Sequence, residues 1–184
     1  YEREKRIAHL AVLNEIGQII SSTLNVDELL QLVYKQVGRV MDTTNFFIAL
    51  YDEEKDEINF AFASEDGRIV SKSQLERARR KVVPGVGITE YVIRTGQPLL
   101  IRGNLEETLR QLGIEGIGRP AKCWLGVPMK AGDKVIGAIV VQSYISEDLY
   151  SQEDLEILQT IASQAAIALE NARLHQQTDK ALAQ

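Results

Sequence analysis

Residues 123–144 read CWLGVPMKAGDKVIGAIVVQSY, two apolar runs separated by Ala131-Gly132-Asp133. Branched and aromatic residues dominate the runs, and the Gly-Asp pair between them is turn chemistry, so the segment is predicted to be a β-hairpin. A strand wetted on one face alternates apolar with polar residues, whereas these strands are apolar almost throughout. Continuous runs of that kind are buried on both faces. The hairpin therefore belongs inside a sheet with helices on one side and a covered cavity or second layer on the other, which makes the domain α+β.

Working outward toward the N-terminus, residues 105–112 form a predicted short helix and 98–101 a short strand. The bend Pro84-Gly85-Val86-Gly87 precedes another short helix at 88–94, which Gly96 ends because glycine reaches left-handed backbone angles cheaply. Residues 45–51 (NFFIALY) and 58–63 (INFAFA) are a second strand pair around the polar turn 52–57. Between the two hairpins lies a polar stretch, 65–81, ending in Arg77-Ala78-Arg79-Arg80-Lys81. That basic cluster reads as a solvated loop or strand edge, the alternative being a patch that steers an anionic ligand.

The two ends are helical. Ile7, Leu10, Leu13, Ile16 and Ile20 recur at three- and four-residue spacing along 3–23. Asn25 caps a second helix, with Glu28 three positions on, whose apolar face is Leu29, Leu30, Val33, Val37, Val40 and Met41. At the other end a helix is predicted over 151–180, with Ser151 and Asp154 in capping-box relation and an apolar seam of Leu155, Leu158, Ala162, Ala165, Leu169 and Ala172. At about 1.5 Å per residue it runs roughly 45 Å, farther than a small sheet is deep, so its distal turns are expected to project and to need a partner.

Composition narrows the function. The 184 residues are 45% hydrophobic and 26% charged, enough for one buried domain spanning 1–184 with its core at about 10–174. One cysteine, Cys123, allows no intramolecular disulfide or four-cysteine zinc site and fits a reducing, cytoplasmic compartment. A net charge of -5 speaks against a duplex nucleic-acid partner, and no apolar run is long enough for membrane insertion.

The order of elements, together with PGVGITEYVIRTGQPLLI (84–101), LGVPMKAGDKVIGAIVVQSY (125–144) and SQEDLEILQTIASQAAIALENARL (151–174), resembles the GAF domain family. The resemblance implies a GAF (PAS-like) fold: a central antiparallel sheet of five to six strands, the terminal helices on one face, and short helices and loops covering the other. It implies a regulatory sensor domain of a bacterial signal-transduction protein, binding a small molecule and relaying the change through its terminal helices to an output domain in the same chain. A histidine kinase, another two-component element or a cyclic-dinucleotide enzyme is the output expected; the alternative is a ligand-free dimerisation module.

No nucleophile with a base, no carboxylate pair and no metal-ligand spacing stands out, so no catalytic residue, metal or cofactor is expected. His9 and His175 sit alone on the first and last helices, where solvent or a helix contact is the expected surrounding. Cys123 is followed by Trp124 rather than by the histidine of bilin-attaching relatives, and the chain lacks the several cysteines of the methionine sulfoxide reductase relatives, so a buried structural thiol is expected.

Strand alternation separates Phe46, Ile48 and Leu50 from Phe47, Ala49 and Tyr51 and leaves open which set faces the helices; the first, more uniformly apolar, suits the helical layer and leaves the second for the opposite face. By resemblance to bilin-binding relatives, the second hairpin adds Trp124, Gly126, Val140 and Gln142. These seven residues are the candidate ligand pocket, aromatic with the Tyr51 hydroxyl and Gln142 amide as polar handles; the alternative is that they fill a close-packed core. Ile16, Ile20, Leu158, Ala165, Leu169 and Ala172 are the residues expected to face a second copy in a homodimeric helix bundle.

Overall fold

The computed structural model describes residues 2–23 and 25–183, with all their side chains except those of residues 2, 5 and 9. The expected domain limits at 1 and 184, and the surroundings of the His9 side chain, therefore lie outside the described residues. Two helices, α1 (Glu2–Ser21) and α2 (Val26–Val37), precede β1 (Phe46–Asp52) and β2 (Glu57–Glu65). The polar stretch carries β3 (Arg68–Ile69), α3 (Lys72–Ala78) and β4 (Arg80–Lys81). Then come α4 (Ile88–Thr95), β5 (Leu99–Arg102), α5 (Leu105–Leu112), β6 (Cys123–Ala131), β7 (Lys134–Ser143) and α6 (Gln152–Ala183).

The strands form one seven-stranded sheet in the order β3-β2-β1-β7-β6-β5, with β4 pairing β2 beside β3. Every pairing in it is antiparallel. The five or six expected strands are thus joined by two-residue strands cut from the 65–81 stretch. Within that stretch Arg80 and Lys81 of the basic cluster form an edge strand on β2, while Ser71 and Gln74 close a capping box that starts α3 without any buried residue.

Local signals elsewhere act as their chemistry requires. Asn25 Oδ1 accepts from the Glu28 amide at 3.1 Å, starting α2. The Asp154 carboxylate accepts from the Ser151 amide at 2.9 Å while Ser151 Oγ accepts from the Asp154 amide at 3.3 Å, starting α6. Gly96 stops α4 in the left-handed region, its amide donating to the Val92 carbonyl at 2.9 Å.

Two apolar layers result. Phe46, Ile48, Leu125, Val127, Ile139 and Val141 pack against α1, α2 and α6. Ala49, Ile58, Trp124, Ala138 and Val140 pack on the opposite face against Val92 and Ile93 of α4 and Leu109 of α5. The central hairpin is buried on both sides, as its composition demanded.

Pro128 and Gly137 sit where backbone geometry uses them. The Pro128 carbonyl points away from β7 and accepts from Gln159 Nε2 at 3.1 Å, and β5 has already ended at its Leu99–Gly126 pair, so no ladder donor is missing. Gly137 lies against β1, and a methyl group there would run into the Ala49 carbonyl oxygen. Gly137→Ala is therefore expected to cost about 1–3 kcal/mol by forcing β1 and β7 apart, read as a lowered urea midpoint. An unchanged midpoint would overturn that account of the glycine.

The six helix residues expected to face a second copy are instead occupied inside the chain. Ile16, Ile20, Leu158, Ala165, Leu169 and Ala172 are all buried among α1, α2, α6 and the sheet. The heptad-like seam on α6 is real, but its partner over these turns is the chain's own sheet and α1, which a sequence stripe does not distinguish from a second molecule. Exposed apolar residues lie elsewhere on the same helices: Ile7 and Leu10 on α1, Ile167 and Leu174 on α6. From 174 to 183 α6 is exposed throughout.

Candidate functional site

On the sheet face away from the terminal helices, a cavity of about 270 Å³ opens beneath the 82–87 loop. Its apolar wall comes from Ile58 on β2, Val82 and Val86 on the loop, Ile93 on α4, Ile114 after α5 and Val135 on β7. The loop is held over the sheet by a short parallel bridge: Gly87 donates to the Glu115 carbonyl and Glu115 to the Gly85 carbonyl, both at 2.8 Å. Gly85 and Gly87 have φ of 76° and 94°, which lets the chain turn sharply enough to make both bonds.

The polar groups of the cavity are already partly organised. Tyr51 donates its hydroxyl to Asp56 Oδ1 at 2.7 Å. That hydrogen bond, with burial and the surrounding carboxylates, raises the Tyr51 pKa, so the phenol keeps its proton. Glu90, 5% exposed, accepts two parallel bonds from Arg80 Nε and Nη2, each 2.8 Å. The Arg80 guanidinium lies 5.2 Å from the Phe60 ring centre, and Arg94 stacks at 5.4 Å over Tyr91. A side chain at Gly87 would strike the Glu90 carboxylate, so the glycine also makes room for the ion pair.

The seven candidate pocket residues do not share one cavity. Tyr51 alone lines the 270 Å³ space. Phe47 packs edge-on against Phe60 at 5.4 Å, Ala49 and Val140 are fully buried, and the Trp124 indole, 4% exposed, lies over Gly126 where a Cβ would stand. These five fill the second apolar layer. Gln142 lines a separate depression of about 190 Å³ with Asn45, Arg119 and Tyr144. Phe46, Ile48 and Leu50 lie in the helical layer and Phe47, Ala49 and Tyr51 in the opposite one, but the side chains on that opposite face mostly close the space they were expected to leave.

Asp56, Glu90 and the 82–87 loop are site residues that the pattern of apolar periods did not reveal. The signal available was Glu90 itself, a carboxylate in a short helix next to the apolar Val92 and Ile93, with Arg80 in the basic cluster upstream. Cys123 is fully buried in the helical layer, on the sheet face opposite the cavity, and burial raises its pKa. His175 is half-exposed on α6, 3.3 Å from Asp179. Among the described residues no helix is long and apolar enough to cross a membrane.

A family model for the GAF domain matches residues 23–170. The nitrogen fixation protein AnfA of Azotobacter vinelandii is 26% identical over 170 residues, covering 91% of this chain and 31% of that protein. The formate hydrogenlyase transcriptional activator FhlA of Escherichia coli K12 is 25% identical over 170 residues, covering 90% of this chain and 24% of that protein. The chain thus spans about a quarter to a third of the length of these relatives. Among solved structures, the GAF domain of an Acinetobacter phosphoenolpyruvate-protein phosphotransferase superposes with a TM-score of 0.71 at 21% identity, covering 90% of this chain and 94% of that one. The free methionine-R-sulfoxide reductase of Neisseria meningitidis gives 0.69 at 15% identity, covering 93% of each.

Proposed function

The chain belongs to the GAF domain family, and from that we propose that it is a regulatory sensor whose 270 Å³ cavity takes a small molecule and whose α6 carries the response to an output domain in the same chain. The observation that carries this reading is the double role of the β1–β2 turn. On one side its Asp56 lines the cavity with Tyr51; on the other its Asp52, Glu53 and Glu54 face Arg173 and Lys180 of α6 across a groove of about 700 Å³. A ligand that shifts the turn changes the field at the start of the exposed part of α6. The two turn positions must bind ligand with different affinity, or occupancy shifts nothing.

A regulatory role rather than catalysis is supported by the placement of the single thiol. Cys123 faces the helical layer, away from the cavity, with its thiolate disfavoured by burial. The reductase neighbour shares the fold at 15% identity, and likeness at that level carries no chemistry. The name of FhlA supports an output acting on transcription; a phosphorelay or cyclic-dinucleotide output would hang from the same helix.

A thermal-shift screen over cyclic nucleotides, amino acids, amines, haem, bilins and aromatic acids tests the sensor reading. A ligand at 100 times its Kd adds about 2.7 kcal/mol, which in a domain of this size raises Tm by roughly 5–10 °C. A flat response to every class sinks it. The second reading, a ligand-free homodimerisation module, draws on the exposed apolar residues Ile7, Leu10, Ile167 and Leu174 at the outer parts of α1 and α6.

A further inference from the structure

The cavity has one end whose chemistry is unspent. Glu90 has both carboxylate oxygens bound to Arg80, so it neither recruits a cation nor leaves Arg80 free for an anion. Asp56 is different. Tyr51 engages only its Oδ1, and among the described residues no donor is bonded to Oδ2. The Tyr51 oxygen, with its O–H turned toward Asp56, presents only lone pairs to a third group. Two acceptors, one of them charged, therefore stand together at the rim of a wall made of isoleucine and valine.

Arg94 is a cation on the lining itself, and it is stacked over the Tyr91 ring. An anionic ligand would have to meet Arg94 while lying beside Asp56, with Glu53 and Asp52 close behind on the same turn. An ammonium or other charged N–H donor finds the reverse, two acceptors converging and a phenol that stays protonated to hold the carboxylate in place.

We propose that the cavity binds a small primary amine with a compact apolar body, the ammonium seated between Asp56 Oδ2 and the Tyr51 oxygen and the body against Ile58, Val86, Ile93 and Ile114. This assignment rests on the sensor reading and adds the ligand's chemical class to it. Charge-assisted bonds supply the recognition, and the apolar wall limits the size of the body. The same turn faces α6, so the group that recognises the ligand is also placed to report it.

Titration calorimetry at neutral pH with three probes sharing one body decides the point: 2-phenylethylamine, 2-phenylethanol and 3-phenylpropionate. The amine is expected to bind at least about tenfold more tightly than the alcohol or the acid, the size of one charge-assisted hydrogen bond. Asp56→Asn, which keeps the left-handed φ of 52° that asparagine tolerates, is expected to remove that preference while the fold persists. Arg94→Gln takes a positive charge off the lining and is expected to tighten amine binding rather than weaken it. Preference for the acid, its loss in Arg94→Gln, or equal binding of all three overturns the amine assignment while the sensor reading stands. If none of the three binds, the assignment falls, and only a flat result across the wider screen takes the sensor reading with it.

Discussion

Leu169→Asp is expected to abolish the cooperative melt of this domain rather than to separate two folded copies. Leu169 is 1% exposed on α6, within the layer that includes Ile16, Ile20 and the inner face of β6. Truncating a buried leucine already costs about 2–5 kcal/mol. An unpaired carboxylate in the same place adds several more, because the side chains packed around it are apolar. The sum approaches the roughly 5–15 kcal/mol that holds a typical domain together. Circular dichroism on heating would read the result, and a retained sharp transition near the parent Tm would contradict the burial on which this rests.

The informative pair for self-association lies on the outer side of the same helix. Ile167 and Leu174 are 56% and 58% exposed, one heptad apart. Ile167→Asp with Leu174→Asp is expected to leave the melt intact and to shift sedimentation toward monomer. An unchanged distribution in a folded double variant removes the dimer proposal.

Arg80→Ala is the second large effect. The substitution leaves the Glu90 carboxylate enclosed at 5% exposure beneath the 82–87 loop, without either of its 2.8 Å donors. Breaking one side of a buried pair in this way costs about 3–5 kcal/mol, far more than an exposed bridge is worth. Arg80 also covers the Phe60 ring, so its removal exposes an aromatic face as well. The double variant Arg80→Met with Glu90→Leu is expected to recover most of the loss, since two apolar side chains of similar size owe nothing to desolvation. A loss below about 1 kcal/mol for Arg80→Ala in urea denaturation would show that water reaches the carboxylate and that the loop is not held by the pair.

The elements legible in the chain were those whose cause is local. The 105–112 helix, the 123–144 hairpin and the Ser151 start of α6 each carry their own period, turn or cap within a few residues. α3 was not legible because it buries no residue: KSQLERA has no apolar face, and only the Ser71–Gln74 capping box marks it. The candidate site was readable as a face and not as a set of contacts. Tyr51 and Asp56 are neighbours in sequence, but Glu90, Ile114 and Val135 join them through the Gly87–Glu115 bridge and the β1–β7 ladder, which no local pattern announces.

Composition and period by themselves determined a two-sided sheet with helical ends, because an unbroken apolar strand can be stable only between two covers. What the tertiary structure alone decided is which side chain goes to which cover. In INFAFA strict alternation would send Phe60 and Phe62 to one face, yet the bulge between Ile48 and Ala49 of the β1 ladder leaves Ala61 without an opposite residue. Phe62 then turns to Tyr34 and Phe46 in the helical layer, while Phe60 stays with Phe47 and Arg80 beside the cavity. A bulge is set by the pairing of one strand with another, so its consequence for the site exists only once the strands have met.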